Sequence, residues 1–159
     1  MSGLLETPKH GDLIYDIGLH KGEDTHFYLR KGFRVVAIEA DPDLVAHCVE
    51  RFRDFIQRGR LTIVQGAIVD PASGSVGGKV AFFKNDEVSV WGTVCEDWAK
   101  RNDRRGSPSR RIEVDALDLA DVISAHGVPR YMKIDIEGAD AFCLAARARF
   151  RQRPDYLSI

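Results

Sequence analysis

Short apolar segments recur along the chain, and most of them end close to a carboxylate or a glycine. They span residues 13–17, 35–39, 61–64 and 131–136. Their length, their β-branched residues and the glycines beside them predict buried β-strands. Two of the segments carry the related endings DIG at 16–18 and DIEG at 135–138, and a third ends on Glu39.

Helical patterns separate these strands. One helix is predicted over residues 23–31, with Gly32 as its C-terminal glycine. A second begins at Asp41 and Pro42, which suit the N-cap and the first helical position, and runs to about residue 57. Two more are predicted over residues 118–125 and 140–148. This alternation predicts an α/β fold, a doubly wound and mostly parallel sheet with helices on both faces.

The middle of the chain departs from this alternation. Residues 80–83 and 111–114 are strand-like and predict an antiparallel pair, whereas residues 71–78 are rich in glycine and serine and predict a turn. Residues 101–111 are basic, contain helix-breaking residues and show no apolar periodicity, so an exposed loop is predicted there. No internal repeat or second domain is visible.

Composition and charge narrow the class of protein. A length of 159 residues, with 44% hydrophobic and 30% charged residues, predicts a single globular domain. The formal net charge of −1 argues against a nucleic-acid partner or a membrane surface, and no apolar run reaches the roughly 18 residues of a membrane span. The N-terminus does not resemble a signal peptide.

The three cysteines predict reduced thiols in the cytoplasm. Cys48, Cys95 and Cys143 are odd in number and far apart in the sequence, so they form neither a disulfide framework nor a CxxC metal motif. No metal is therefore expected.

The turn after the first strand and the acid after the second strand together suggest a nucleotide site. Glycines such as Gly18 and Gly22 let backbone approach a ligand, although a glycine at a strand end also serves a simple turn. Glu39 follows Gly18 by 21 residues, close to the roughly 20-residue offset at which a carboxylate binds a ribose diol. The alternative is that Glu39 is only a helix-start residue. A nicotinamide dehydrogenase would share this acid, but a GxGxxG loop is absent.

Asp16 and Asp135 extend this candidate site. In a doubly wound sheet the first strand lies beside the strand that begins the other half, and the ligand crevice opens above their carboxyl ends. These two carboxylates are therefore expected around the crevice. They suit a cationic ligand group or a proton that must be removed.

Four motifs resemble the FkbM family of methyltransferases: DIGLHKG at 16–22, VAIEADP at 36–42, VDALD at 114–118 and KIDIEGAD at 133–140. The resemblance covers about residues 11–159, and the last motif is its most specific part. It implies a Rossmann-like class I methyltransferase fold that uses S-adenosyl-L-methionine. The expected organisation is one domain over residues 1–159, short of the last strands at its C-terminus, with an N-terminal extension over residues 1–10.

The resemblance also implies which residues bind the cofactor. In the first motif these are Asp16, Gly18, His20, Lys21 and Gly22, with the aspartate and the two glycines around the amino-acid end. The motif departs from the family at Leu19-His20, where a small residue followed by asparagine is usual.

Contacts with the nucleoside are implied after the second and third strands. Glu39 would hold the ribose with Ala40 beside it, and Gly66 and Ala67 would lie near the adenine. Asp135 would face the methionine portion or the methyl acceptor.

The resemblance implies O-methylation of a hydroxyl on a sugar, a glycolipid or a secondary metabolite. Glu137, Asp135 and His20, in that order, are the candidate bases for the hydroxyl proton. For His20, a solvated loop histidine is the alternative. A catalytically inactive adenosyl-binding module and an NAD-dependent oxidoreductase are the alternatives to the enzyme as a whole.

Roles are also predicted for two further segments. Residues 89–94 are expected to close over the cofactor or the substrate, with ordinary packing as the alternative for Trp91 and Trp98. Residues 153–159 predict a final strand with an open edge, and hence a homodimer formed by pairing of sheet edges.

Overall fold

The computed structural model describes residues 3–136 and 138–159. Its strands are β1 (Lys9–Ile17), β2 (Arg34–Glu39), β3 (Leu61–Gln65), β4 (Ala67–Ile68), β5 (Lys79–Asn85), β6 (Ser109–Leu117), β7 (Val128–Ile134) and β8 (Tyr156–Ser158). Its α-helices are α1 (Glu23–Arg30), α2 (Pro42–Arg51), α3 (Arg53–Gln57), α4 (Glu96–Arg104), α5 (Leu119–His126) and α6 (Asp140–Ala148).

Five parallel strands form the main sheet, in the order β3-β2-β1-β7-β8. From β1 the chain first builds outward through β2 and β3, and it later returns to the other side of β1 with β7 and β8. The strand order therefore reverses between β1 and β7, which is the topological switch point where open α/β sheets bind ligands. The predicted doubly wound, mostly parallel α/β fold is confirmed.

Strand β2 shows how the sheet holds helices on both faces. Val35 and Ala37 pack in one apolar cluster with residues of α1 and α2, whereas Val36 and Ile38 pack in another with residues of α5 and α6. Successive side chains of a strand point to opposite faces, so a continuous apolar run is what a strand covered on both sides requires. Each fully buried aliphatic side chain contributes about 1.5–3 kcal/mol to folding.

A second, three-stranded sheet has the order β4-β6-β5. Strands β5 and β6 are antiparallel, with Val80 opposite Val114 and Phe82 opposite Ile112, so the predicted antiparallel pair is confirmed. Strand β4 follows β3 after Gly66 and pairs with β6 in parallel. The second sheet therefore begins where the main sheet presents its carboxyl ends.

The exposed loop predicted over residues 101–111 is wrong for most of its length. Helix α4 continues to Arg104 and β6 begins at Ser109, which leaves residues 105–108 as the connection. The helix buries Ala99 and Asn102 and exposes its charged residues except the half-buried Arg101, so its inward face is too small to appear as apolar periodicity. The arginines at 110 and 111 lie on a strand that pairs with β5.

Two predicted boundaries also differ from the structure. The helix predicted from residue 41 to about 57 is interrupted at Phe52, which leaves helical geometry at φ −110° and ψ 20° and buries its ring. The expected N-terminal extension over residues 1–10 overlaps β1, because Lys9 and His10 pair with β7. Leu5 forms a further bridge to Phe150.

Across the described residues, 3–136 and 138–159, the structure contains no helix with the length and hydropathy of a membrane span.

Tyr15 provides a test of the core. Its side chain is wholly buried in β1, and its hydroxyl donates to the carbonyl oxygens of Gly127 at 3.0 Å and Val122 at 3.3 Å. Tyr15→Phe leaves those buried acceptors without the hydroxyl, so we expect the free energy of unfolding in urea to fall by about 1–2 kcal/mol.

Tyr131→Phe is the matched control, because it removes a hydroxyl that lies outside the core, beside Ser158 and Tyr28. Its effect is expected to be below about 0.5 kcal/mol. Equal losses in the two variants would contradict this account of the core.

Candidate functional site

The carboxyl ends of β1, β2 and β7 open into one cleft at the switch point, and the second sheet forms its far wall. Among the residues predicted from the sequence, the cleft is lined by Gly18, His20, Glu39, Ala40, Gly66, Ala67 and Asp135. The structure therefore brings together the turn after β1, the acid after β2 and the later aspartate.

Glu39 is the most constrained acid in this cleft. Glu39 is only 9% exposed. Its two carboxylate oxygens accept hydrogen bonds from the backbone N–H of His20 and of Asp41, each at 2.9 Å. Burial raises the pKa of Glu39, and the hydrogen bonds from Asp41 and His20 oppose that rise. The two amides thus set the orientation of the carboxylate.

His20 occupies a backbone conformation that is uncommon for a residue with a side chain. It lies in the left-handed region at φ 52°, between the left-handed glycines Gly18 and Gly22. Its Nε2 lies 2.8 Å from Oγ of Ser89, which belongs to the segment predicted to close over the site. This contact crosses from the turn after β1 to the far wall of the cleft, where residues 89 and 92–94 also line the cavity.

Most backbone amides of the turn are used within the protein. Gly18 and Leu19 donate to the carbonyl of Ile38, His20 donates to Glu39, and the N–H of Gly22 donates to the carbonyl of Leu19. The turn after β1 therefore shapes the cleft and orients Glu39, and these amides are not directed at a ligand.

Three predicted residues of the first motif, Asp16, Lys21 and Gly22, lie outside the cleft lining. Lys21 is exposed, and Gly22 is buried against the ring of Phe52, where an added Cβ would lie 2.4 Å from a ring carbon. Gly22 is thus required by helix packing. Gly18, in contrast, lines the cleft and lies so close to β7 that its Cβ would meet the carbonyl oxygen of Asp135 at 2.1 Å.

Asp16 is placed differently from the expectation. It is fully buried behind the cleft wall, where Thr25 Oγ1 donates to it at 2.7 Å and Lys133 Nζ at 3.2 Å. The neighbours of Asp16 in β1, residues 15 and 17, face the α5 and α6 side, so strand alternation directs Asp16 toward α1. Burial raises the pKa of Asp16, and Lys133 and Thr25 oppose this effect.

Lys133 is the principal cleft residue that the sequence analysis missed. Its Nζ lies 3.0 Å from Asp24, 3.2 Å from Asp16 and 3.9 Å from Asp135, in each case measured to a carboxylate oxygen. Burial alone would lower the pKa of Lys133, but the carboxylates of Asp16 and Asp24 outweigh it and raise the pKa. The signal in the sequence was that Lys133 lies two residues before Asp135, so that the alternation of an extended chain directs both side chains to the same side.

The candidate bases differ in their setting. The side chain of Asp135 is 74% exposed at the edge of the cleft, whereas that of His20 is 26% exposed. Glu137, the first-ranked candidate, lies outside the described residues.

Apolar side chains also line the walls, and three of them lie on different segments. They come from the end of β2, from β5 and from the segment after residue 91, and they are Ile38, Phe82 and Val94. The cleft therefore has an apolar side next to Glu39 and a charged side around Lys133. Among the residues of the described ranges, no group of three or more histidines, cysteines or acids is arranged to hold a metal ion.

Comparisons with known proteins find similarity to two methyltransferases. A solved structure, methyltransferase FkbM from Methylobacillus flagellatus KT, superposes with a TM-score of 0.50 at 18% identity, covering 89% of this chain and 30% of that chain. A probable ribosomal RNA small subunit methyltransferase A from Haloarcula marismortui is 42% identical over 53 residues, which are 33% of this chain and 19% of that protein. The chain thus spans less than a third of the length of either protein.

A family match covers nearly the whole chain. Residues 16–159 match the family model described as the methyltransferase FkbM domain. The matched region runs from the end of β1 through the entire cleft to β8. This chain belongs to the FkbM methyltransferase domain family.

Proposed function

We propose that the cleft binds S-adenosyl-L-methionine, and that the chain directs its methyl group to a hydroxyl oxygen of a sugar, a glycolipid or a secondary metabolite. The observation that carries the proposal is the carboxylate of Glu39. It lies in the cleft at the end of β2, nearly buried, and two backbone amides orient it.

The end of the cleft around Glu39 suits a nucleoside. A carboxylate offers about four lone-pair positions, and the amides of His20 and Asp41 use two of those on Glu39. The remaining positions match the two hydroxyls of a ribose. Beside it, Ala40, Gly66 and Ala67 leave space, and the apolar wall from Phe82 suits a flat base.

The opposite end of the cleft suits a zwitterion. Lys133 offers an ammonium group to a carboxylate, while Asp24 offers a carboxylate to an ammonium group. Asp16 supports this arrangement from behind, through its contact with Lys133. The amino-acid portion of the methyl donor carries these same two charges.

When bound, the methyl donor supplies a methyl group already activated on a sulfonium sulfur. The protein's task is therefore to align the acceptor oxygen and to remove its proton. Asp135 is the proposed base, because its carboxylate lies at the cleft edge and is open to an entering acceptor. His20 is the proposed second group at this edge, oriented by Ser89, and a role for Glu137 stays a prediction.

Several finer features are part of the same proposal. A net charge of −1 provides little attraction for a polyanion, which supports a small-molecule acceptor over a nucleic acid. Tyr156 of β8 is 60% exposed at the edge of the main sheet, and pairing of that edge in a homodimer stays a prediction. A cytoplasmic location also stays a prediction.

The first test is the affinity for S-adenosylhomocysteine, measured by calorimetry. Glu39→Gln removes the charge that would accept the ribose hydroxyls, and each charge-assisted hydrogen bond contributes about 1.5–3 kcal/mol. We expect affinity to fall by about 10- to 100-fold. Glu113→Gln, an exposed acid on β6, is the matched control and should bind as the wild type does. Normal binding by Glu39→Gln, or a preference of the wild type for NAD, would refute the proposed site.

The second test uses the pH dependence of the ligand-free protein. Because burial raises the pKa of Glu39 in the folded state, folding opposes its ionisation. The contribution of Glu39 to the free energy of unfolding is therefore fully present below its pKa in the unfolded chain, and it is lost as pH rises through its pKa in the folded protein. Urea unfolding from pH 4 to pH 9 should show Glu39→Gln gaining stability relative to the wild type as pH rises. A difference that is constant over that range would show that burial does not perturb Glu39.

The third test addresses the base. Asp135→Asn keeps the shape of the side chain but cannot accept the proton, so we expect kcat to fall by about 10²–10⁴-fold. The measurement is release of S-adenosylhomocysteine with whichever acceptor the wild type methylates in a panel of sugars and hydroxylated metabolites. Asp121→Asn, an exposed acid on α5, is the control. An unchanged kcat for Asp135→Asn would transfer the assignment to Glu137 or His20, and the corresponding variants can be measured in the same assay.

A further inference from the structure

Lys84 is a buried cation on the second sheet that the methyl-transfer proposal does not use. Its side chain is only 9% exposed, and its Nζ lies 3.1 Å from Asp41 and 3.6 Å from Asp86, measured to carboxylate oxygens. It also pairs with Asp43. Burial would lower the pKa of Lys84, but Asp43 and Asp41 outweigh that effect, so the amine stays charged.

Asp41, the ion-pair partner of Lys84, is itself buried and contacts the carboxylate of Glu39 directly. Its side chain is 5% exposed, and Oδ1 accepts from Lys84 and from the N–H of Asp43, the latter as the N-cap of α2. Its own backbone N–H donates to Oε1 of Glu39 at 2.9 Å. The position of Asp41 therefore sets one of the two hydrogen bonds that orient Glu39.

The segment from Glu39 to Asp41 is held by the second sheet at a further point. Ala40 packs against the apolar cluster that contains Phe82. Phe82 lies two residues before Lys84 on β5, hence on the same side of the strand, and it lines the cleft. One side of β5 thus forms a wall of the cleft and also supports the segment that carries Glu39.

We infer that Lys84 is a positioning residue for ribose recognition: through its ion pair with Asp41 it holds the amide that orients Glu39. This inference rests on the proposed function, because it assigns the ribose to Glu39. A buried cation is costly unless it is paired, so a lysine that only covered the core would be replaceable by an apolar side chain of similar length. Lys84 instead reaches Asp41, whose side chain meets the second sheet and whose backbone N–H donates to Glu39.

The test compares two ligands of the full 159-residue chain by calorimetry: S-adenosylhomocysteine and its 2′-deoxyribose analogue. In the wild type we expect a preference for the first, because only it presents both hydroxyls to Glu39. Lys84→Met should weaken binding of S-adenosylhomocysteine by about tenfold, as is usual when the support of a ligand-binding group is removed. Binding of the deoxy analogue should change much less, so the ratio of the two affinities falls.

Two variants serve as controls. Lys79→Met removes a lysine of the same strand that pairs with Asp115 at the exposed surface, and it should keep the wild-type ratio. Lys84→Arg retains a charge at this position and should restore much of the ratio. A role confined to stability would lower the melting temperature of Lys84→Met and weaken both ligands equally, which would overturn the inference.

The remaining outcomes are also decisive. If Lys84→Met does not fold, Asp41→Asn weakens the same ion pair without leaving a buried carboxylate unpaired. A wild-type ratio in that variant would overturn the inference, and a reduced ratio would support it. A wild-type chain that binds neither ligand would refute the proposed function itself, whereas normal wild-type binding with an unchanged ratio in Lys84→Met would refute only the role of Lys84.

Discussion

The hydrogen bonds that the carboxylate of Glu39 accepts from two backbone amides are the interaction on which the site depends. One amide belongs to the turn after β1 and the other to the start of α2, so the carboxylate joins two segments that are distant in sequence. To provide its amide, His20 adopts a left-handed conformation, which costs about 1–3 kcal/mol for a residue with a side chain. The bonds to Glu39 and to Ser89 offset that cost.

A second charged group organises the opposite end of the cleft. Asp16 and Lys133 occupy paired positions of the adjacent strands β1 and β7, so the ion pair crosses the switch point itself. Thr25 on α1 satisfies the other oxygen of the buried Asp16. Since an unpaired charge at this depth is strongly disfavoured, Lys133 is confined to the side of the cleft where it also meets Asp24. The cleft is thereby divided into a charged end and an apolar end before any ligand enters.

Features that depend on local pattern could be predicted from the sequence. The parallel sheet follows from short β-branched runs that alternate with helices, and the antiparallel pair of β5 and β6 follows from two strand-like segments outside that alternation. The position of Glu39 in the cleft follows from its spacing after Gly18 and from its place at the end of a strand. These inferences need only the periodicity of the chain and the rule that parallel strands end at one edge.

Features that depend on which surfaces meet could not be predicted in this way. The burial of Asp16 depends on which face of β1 is covered by α1. Gly22 is required by the ring of Phe52, which lies between α2 and α3 some thirty residues later. In the sequence, Lys84 does not differ from other lysines on strands. Its burial follows only from the packing of the second sheet against the start of α2. Helix α4 was missed because its inward face consists of small and polar residues among many charges.

The most direct measurement is a crystal structure of the chain with S-adenosylhomocysteine bound. We predict that both ribose hydroxyls lie within hydrogen-bond distance of the Glu39 carboxylate, while the amides of His20 and Asp41 keep their present contacts with it. A nucleoside bound elsewhere, or a ribose in this cleft without contact to Glu39, would contradict the account.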